Sequence, residues 1–144
     1  MTTMTSADRF VTGGVDTHRD FHVAAALDQR GALLGTAQFP TTLRGYRSLL
    51  GWLAGLGTVE AVGVEGTGSY GAALAGHLAA AGVRVVEVGR PNRQVRRRHG
   101  KTDVVDAIAA ARAVQSGEAT ATPKSHDGPV EALRALKMVQ RSAR

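Results

Sequence analysis

The sequence predicts a single α/β domain in which helices flank a mixed β-sheet. Three observations support this class: the length of 144 residues, three β-prone runs before Pro40, and an alternation of helical and strand-like segments after it. The chain has no cysteine, which excludes disulfide frameworks, thiol nucleophiles and Cys-ligated zinc. Any catalysis must therefore rely on carboxylates, histidines or hydroxyl groups.

The first part of the chain predicts three strands. FVTGGVDTH at 10–18 and FHVAAAL at 21–27 are joined by a short polar step, and DQRG at 28–31 predicts a turn before a third run, ALLGTAQF. Short runs with such short connections are typical of an antiparallel meander.

A helix and a fourth strand are predicted next. The helix follows Pro40 and is expected to end near Gly55 or Gly57. Its apolar side chains recur at helical spacing: Leu43, Tyr46, Leu49, Leu50, Leu53 and Leu56. TVEAVGVE at 58–65 then predicts a buried strand.

The remaining segments continue the alternation. GTGSYG predicts a turn, YGAALAGHLAAAG a helix, VRVVEV at 83–88 a strand, and Thr102 to Gln115 an Ala-rich helix that stops at Gly117. Alternating strands and helices imply parallel pairing. Three antiparallel strands followed by helix, strand, helix, strand and helix form the connectivity expected of a ribonuclease H-like fold, with strand one central and paired with strand four.

We expect this domain to occupy residues 10–122. Residues 1–9 are expected to form a disordered N-terminus, and residues 123–144 a linker followed by the start of a truncated coiled-coil helix. Every apolar stretch is broken well before the length of about 18 residues that a membrane span needs, and the first ten residues lack a signal-peptide pattern. We therefore expect a soluble cytoplasmic protein with no membrane partner.

The formal net charge of +6 comes from the second part of the chain. Residues 1–89 hold six arginines and seven acidic residues, whereas residues 90–144 hold twelve basic and five acidic residues. Six of these cations lie between residues 90 and 101 with no acid among them: Arg90, Arg93, Arg96, Arg97, Arg98 and Lys101. Such a run can neutralise phosphates and so predicts nucleic-acid binding; a solvated basic loop is the alternative.

Four carboxylates stand where a metal site of this fold would need them. Asp16 lies in an apolar strand, Glu65 closes the fourth strand, and Asp103 and Asp106 share one face at the start of a helix. Converging carboxylates from different elements are what divalent ions require for phosphodiester chemistry. Each residue singly has a structural alternative, such as a strand-end hydrogen bond or a helix N-terminal charge.

The histidines and glycines offer further interpretations. The five histidines show no zinc-binding spacing, but His18 and His22 lie close enough to Asp16 in sequence to tune it. GTGSYG, at residues 66–71, matches the dinucleotide fingerprint G-x-G-x-x-G between a strand and a helix, so an NAD-binding Rossmann-type domain is an alternative. A tight turn that selects glycine explains the same residues.

Five segments in this order resemble the N-terminal domain of the DEDD-type transposases of insertion sequences, the group that includes the pilin-gene invertases. They are GVDTHRDFHVAAALD, FPTTLRGYRSLLGWL, VGVEGTGSYG, VVEVGRPNR and GKTDVVDAIAAARAV. The resemblance implies the Holliday-junction resolvase (RuvC-like) version of the ribonuclease H fold. It also implies that Asp16, Glu65, Asp103 and Asp106 are the catalytic acidic quartet and bind Mg²⁺ (or Mn²⁺).

The same resemblance implies that the domain takes part in cutting and rejoining DNA, with a structured guide RNA as a second partner. Family members continue into a coiled coil and a C-terminal domain with a catalytic serine, whereas this chain stops at Arg144. We therefore expect a homo-oligomer formed through the C-terminal helix and an enzyme that is incomplete as this fragment. The alternative is a non-catalytic fragment that binds nucleic acid and oligomerises.

Overall fold

A computed structural model of the chain describes residues 8–89 and 103–123. Its strands are β1 (Phe10–Thr17), β2 (Phe21–Leu27), β3 (Leu33–Pro40), β4 (Thr58–Glu65) and β5 (Val85–Val88). Its helices are α1 (Leu43–Leu56), α2 (Ala72–Ala80) and α3 (Asp103–Gln115). The basic run at 90–101, the first seven residues and the predicted C-terminal helix lie outside the described residues. Within the described ranges, no helix is both long and apolar enough to cross a bilayer.

The five strands form one mixed sheet in the order β3-β2-β1-β4-β5. β1 pairs antiparallel with β2, and β2 with β3, which confirms the predicted meander. β1 pairs in parallel with β4, and β4 with β5, as the helical crossovers require. The central place of β1 beside β4 is confirmed as well.

The main core lies between the sheet and the helices α1 and α2. The predicted apolar stripe of α1 supplies Leu49 and Leu53, both fully buried, and α2 supplies Leu74 and Leu78. These side chains pack against the apolar residues of β1, β2 and β4 that point to this face. α1 begins at Thr42, whose side-chain oxygen accepts a hydrogen bond from the backbone N–H of Gly45 at 3.0 Å.

Two predicted boundaries shift because the ends of α2 are built from turns. The helix begins at Ala72 rather than Tyr70, since the backbone N–H of Gly71 first closes a turn onto the carbonyl of Gly66 at 2.8 Å. At its other end, Gly82 (φ +87°) and Val83 donate hydrogen bonds back to the last turn of the helix. Val83 therefore belongs to the helix cap, and β5 begins at Val85.

Helix α3 covers the opposite face of the sheet and lies unusually close to it. A Cβ atom added to Gly14 would lie 2.3 Å from the carbonyl oxygen of Ala107 and from the backbone nitrogen of Ala111. One added to Gly63 would lie 3.0 Å from the carbonyl oxygen of Ala110. Glycine on β1 and buried alanine on α3 thus let the two backbones meet directly at Gly14, while at Gly63 the side chains of Val114 and Val88 fill the space beside the helix.

The C-terminal part of α3 is held by polar contacts as well. Gln115 donates from Nε2 to the carbonyl of Asp28 at 2.7 Å, and Arg112 donates to the carbonyl of Gly31 at 3.2 Å, so both reach the β2–β3 turn. After the helix, the chain returns along β5, where the backbone N–H of Glu87 donates to Ala121 at 2.7 Å. These contacts fix the position of α3 on the sheet.

We expect Gly14→Ala to destabilise the protein, because the added methyl group meets the backbone of α3 rather than a flexible side chain. The free energy of unfolding should fall by about 1–3 kcal/mol, the usual cost of overpacking. Gly51→Ala is the matched control: Gly51 lies in α1 with open space around it, so alanine should stabilise by about 0.5–1 kcal/mol. Urea unfolding measures both; equal effects would contradict the close approach of α3.

Candidate active site

Asp16 and Glu65 lie side by side at the carboxyl ends of the two central parallel strands. The β1–β4 register pairs Val15 with Val64, so the next residue of each strand carries its carboxyl group to the same edge. Both side chains are buried, with exposures of 0% for Asp16 and 1% for Glu65. The hydroxyl of Thr17 donates to the carbonyl of Glu65 at 3.0 Å and ties the two strand ends together.

Both side chains point to the face that α3 covers. Side chains alternate along a strand, so Asp16 shares the face of Gly14, which touches α3. By the same alternation, Glu65 shares the face of Gly63. The carboxyl groups therefore project from the sheet toward the first turns of the helix.

The first turn of α3 brings the other two predicted carboxylates. Asp106 is 3% exposed and lines, together with Glu65, a cavity of about 360 Å³ between α3 and the ends of β4 and β5. Asp103 lies three residues earlier, and its side chain is 39% exposed. Asp103 and Asp106, the pair predicted to share one face of the helix, are thus both directed toward the carboxyl edge of the sheet.

His18 connects the two halves of the site. Its Nε2 atom lies 2.9 Å from Oδ2 of Asp16 and 3.0 Å from Oδ1 of Asp103. The three ligand-type atoms of these side chains all lie within 4.8 Å of one another. The imidazole stacks on Phe21, with ring centroids 4.7 Å apart, and the backbone N–H of His18 donates to the carbonyl of Phe21 at 3.0 Å.

The electrostatics of the site are dominated by Asp16. Burial raises the pKa of Asp16 above the ordinary 3.8, and the negative charge of Asp106 raises it further. Hydrogen bonds with the side chains of Glu65 and His18 act in the opposite direction, as does the charge of His18. Oδ1 of Asp16 is buried and has no hydrogen-bond partner among the described residues.

This arrangement fits a divalent cation. Buried carboxylates are costly unless they are paired or coordinate a metal. Here three buried carboxyl groups and one half-exposed group converge from β1, β4 and α3, and an acceptor oxygen of Asp16 lacks a donor. Hard oxygen ligands of this kind are those that Mg²⁺ and Mn²⁺ accept.

The structure therefore places all four predicted carboxylates at the carboxyl edge of the sheet. Ligand atoms of Asp16 and Asp103 lie close together with His18, whereas Glu65 and Asp106 line the adjoining cavity.

His18 belongs to the group with Asp16 and Asp103, whereas sequence reasoning only suggested that it could tune Asp16 and did not include it among the metal ligands. The signal was present: in GVDTH, His18 follows Asp16 by two residues, and residues two apart in a strand point to the same face. His22 instead packs on the opposite face, stacked against Tyr46 at 5.9 Å, and its burial lowers its pKa.

Two other predicted features have different outcomes. The basic residues Arg90, Arg93, Arg96, Arg97, Arg98 and Lys101 lie outside the described residues, immediately before α3. The GTGSYG segment forms a turn, but the antiparallel β1–β2–β3 half of the sheet differs from the parallel sheet of a dinucleotide-binding fold. A Cβ on Gly71 would lie 2.5 Å from the carbonyl oxygen of Glu65, so the close turn itself explains that glycine.

Comparison with known proteins points to DNA recombination enzymes. A family model of DEDD transposases (IS110 type), described as "Transposase", matches residues 13–143. A crystal structure of the Fowlpox virus resolvase with its substrate Holliday junction DNA is similar to this chain, with a TM-score of 0.50 and 11% identity. The similarity covers 75% of this chain and 98% of the resolvase.

A second crystal structure of the Fowlpox virus Holliday junction resolvase aligns over the same shares of both chains, with 11% identity and a TM-score of 0.48. No curated protein sequence matches the chain. The similarity to the first of these structures bears on the fold, and it agrees with the ribonuclease H-like connectivity predicted from the order of elements.

Asp106→Asn should stabilise the metal-free protein, because it removes one of the negative charges packed around Asp16. In a chelating buffer at pH 7, we expect the free energy of unfolding to rise by more than the roughly 0.5 kcal/mol within which surface substitutions usually stay, because a like charge near the buried Asp16 is removed. Asp20→Asn makes the same change at an exposed position and should alter stability by less than about 0.5 kcal/mol. A loss of stability in Asp106→Asn would mean that the carboxylates do not repel one another.

Proposed function

The chain belongs to the family of DEDD transposases, and we propose that its domain is the metal-dependent catalytic part that cuts and transfers DNA strands in transposition. The fold is the ribonuclease H-like, RuvC-like one. The observation that carries the proposal is the set of acidic residues around the buried Asp16 at the carboxyl edge of the sheet. Asp16 is hydrogen-bonded to Glu65 and is affected by the charge of Asp106. It also lies close to Asp103 through His18.

The four carboxylates would hold one or two Mg²⁺ (or Mn²⁺) ions. When bound, such ions polarise the scissile phosphate and stabilise the charge of the leaving oxygen. Asp16 and Glu65 supply rigid ligands, because each ends a central strand and the Thr17 hydroxyl fixes the neighbouring backbone. Asp106 lies on the helix side of the site, on α3. The contact of α3 with Gly14 sets the position of this helix. Asp103, half-exposed, faces the side from which a nucleic-acid backbone would approach.

The same packing buries the inner part of the site. Three of the four carboxylates are 3% exposed or less and Asp103 is 39% exposed, so the site has a buried floor and an open rim. Charges act more strongly on one another in such surroundings than in water. The floor thus orients the ligands, while the rim at Asp103 leaves room for a phosphodiester.

The basic run would hold the backbone of DNA or of a guide RNA. Its six cations, Arg90, Arg93, Arg96, Arg97, Arg98 and Lys101, directly precede α3 in sequence, so they are tethered next to Asp103. Cations without base-reading partners give affinity that depends strongly on salt and little on sequence. Sequence choice is therefore assigned to base pairing with a structured guide RNA, which the family resemblance suggests as a partner.

The resemblance also suggests self-association. The segment VEALRALKMVQRSAR would begin a coiled coil and so join copies of the chain into a homo-oligomer. A DNA substrate agrees with the cytoplasmic location expected from the sequence.

We expect Glu65→Gln to weaken the binding of Mg²⁺ and Mn²⁺ by about tenfold or more, because it removes a charged ligand from the buried floor. Glu60→Gln is the matched control, since Glu60 is an exposed residue of the same strand and should leave the affinity unchanged. Calorimetric titration measures both. Equal binding by Glu65→Gln and the unchanged protein would overturn the metal assignment.

Binding of nucleic acid and cleavage should be separable by mutation. Reversing the charges of Arg96, Arg97 and Arg98 to glutamate should abolish salt-sensitive binding to DNA and RNA in a gel-shift assay. Asp16→Asn should keep that binding but lose Mn²⁺-dependent nicking of branched DNA, because it removes a central metal ligand. If the unchanged protein binds but never nicks DNA with either ion, the chain is instead a binding module without catalytic activity.

A further inference from the structure

His18, which the acidic quartet does not include, is in direct contact with two of its carboxylates. Its Nε2 atom faces Oδ2 of Asp16 at 2.9 Å and Oδ1 of Asp103 at 3.0 Å. The side chain is 30% exposed, so the ring lies at the rim rather than in the core. The position of this nitrogen between two carboxylates needs a physical explanation.

A hydrogen bond from Nε2 of His18 cannot satisfy both carboxylate oxygens. A ring nitrogen of histidine carries at most one proton, so Nε2 can donate fully to one of the two oxygens but not to both. A cation between the three atoms would satisfy all of them, because the imidazole lone pair and both carboxylate oxygens are then ligands. The distances agree with that role: ligand atoms at about 2.1 Å from an octahedral ion are about 3.0 Å apart when adjacent.

The ring is also held in advance. It stacks on Phe21 with an interplanar angle of 19°, and its own backbone N–H is bonded to the Phe21 carbonyl. Such contacts fix the direction of a metal-binding imidazole before the ion arrives. An independent observation points to a cation here: Oδ1 of Asp16, fully buried at the same site, has no hydrogen-bond partner among the described residues.

We propose that Nε2 of His18 is a direct ligand of one of the two metal ions, together with Asp16 and Asp103, so that this position prefers Mn²⁺ over Mg²⁺. The inference rests on the metal site proposed above and adds a nitrogen ligand to it. Mg²⁺ is a hard ion that binds oxygen almost exclusively, whereas first-row transition ions accept imidazole. One ion is thus held by a mixed nitrogen and oxygen set, and the Glu65–Asp106 side offers oxygen alone.

Pulsed electron paramagnetic resonance on the Mn²⁺-loaded chain tests this directly, because a bound imidazole nitrogen couples to the manganese spin. We expect that coupling in the unchanged protein and its loss in His18→Gln. His99→Gln is the control for a second histidine just before α3 and should keep the coupling. In calorimetry, His18→Gln should lower the Mn²⁺ affinity by about tenfold or more and the Mg²⁺ affinity by no more than about threefold.

The outcomes separate this inference from the proposed function. Bound Mn²⁺ without nitrogen coupling, or coupling that persists in His18→Gln, would overturn the role of His18 and leave the carboxylate site intact. Absence of Mn²⁺ binding in the unchanged protein would overturn the metal site itself. If His18→Gln fails to fold, His18→Asn takes its place: the coupling must be lost in that variant while it persists in His99→Gln.

Discussion

The close approach of helix α3 to the two central strands is the constraint on which the site depends. The backbone of α3 lies where a side chain on Gly14 would otherwise stand, and the lack of a side chain on Gly63 leaves room on β4 for Val114 of the helix. Alanines on the facing side of the helix complete this contact. The first turn of α3 is therefore carried directly over the strand ends, so that Asp106 faces Glu65 across a small cavity and Asp103 reaches His18.

This packing holds negatively charged groups close together, which is electrostatically unfavourable. Asp16 is fully buried, its pKa is raised by burial, and its neighbour Asp106 raises it further. A fold that only needed stability would place apolar side chains at these positions. The protein instead holds carboxylates together with rigid strands and an anchored helix, and such strain is typical of functional sites. The divalent cation proposed above would relieve it, because the ion would add positive charge among the carboxylates.

Much of the fold follows from the sequence because its periodicity is strong. The fourth strand at 58–65 has the predicted bounds, and the meander and the central place of β1 are confirmed. The ends of α2 were not predictable from hydrophobic pattern, since they depend on backbone hydrogen bonds within the turns at Gly71 and Gly82. The glycine fingerprint was ambiguous for the same reason: a tight turn and a phosphate-binding turn require the same residue.

The sequence predicts which carboxylates belong to the site better than it predicts the contacts between them. The four carboxylates stand out because charges are rare in apolar strands and because two of them share a helical face. The bridge through His18 depends on how far α3 is displaced along the sheet, which Gly14 and Gly63 permit but no local pattern specifies. The difference in burial among the four acids is likewise a result of packing. Asp103 and Asp106 are equivalent in the sequence pattern, but Asp106 is buried and Asp103 is half-exposed.

In the function proposed above, the carboxyl ends of β1 and β4 and the first turn of α3 form one metal centre. Anomalous diffraction from crystals of the chain grown with Mn²⁺ tests this arrangement. We expect an anomalous peak in contact with Asp16, with Glu65 and Asp106 on one side of that residue and Asp103 on the other. A manganese peak elsewhere on the protein, with the four carboxylates still in contact only with one another and His18, would contradict it.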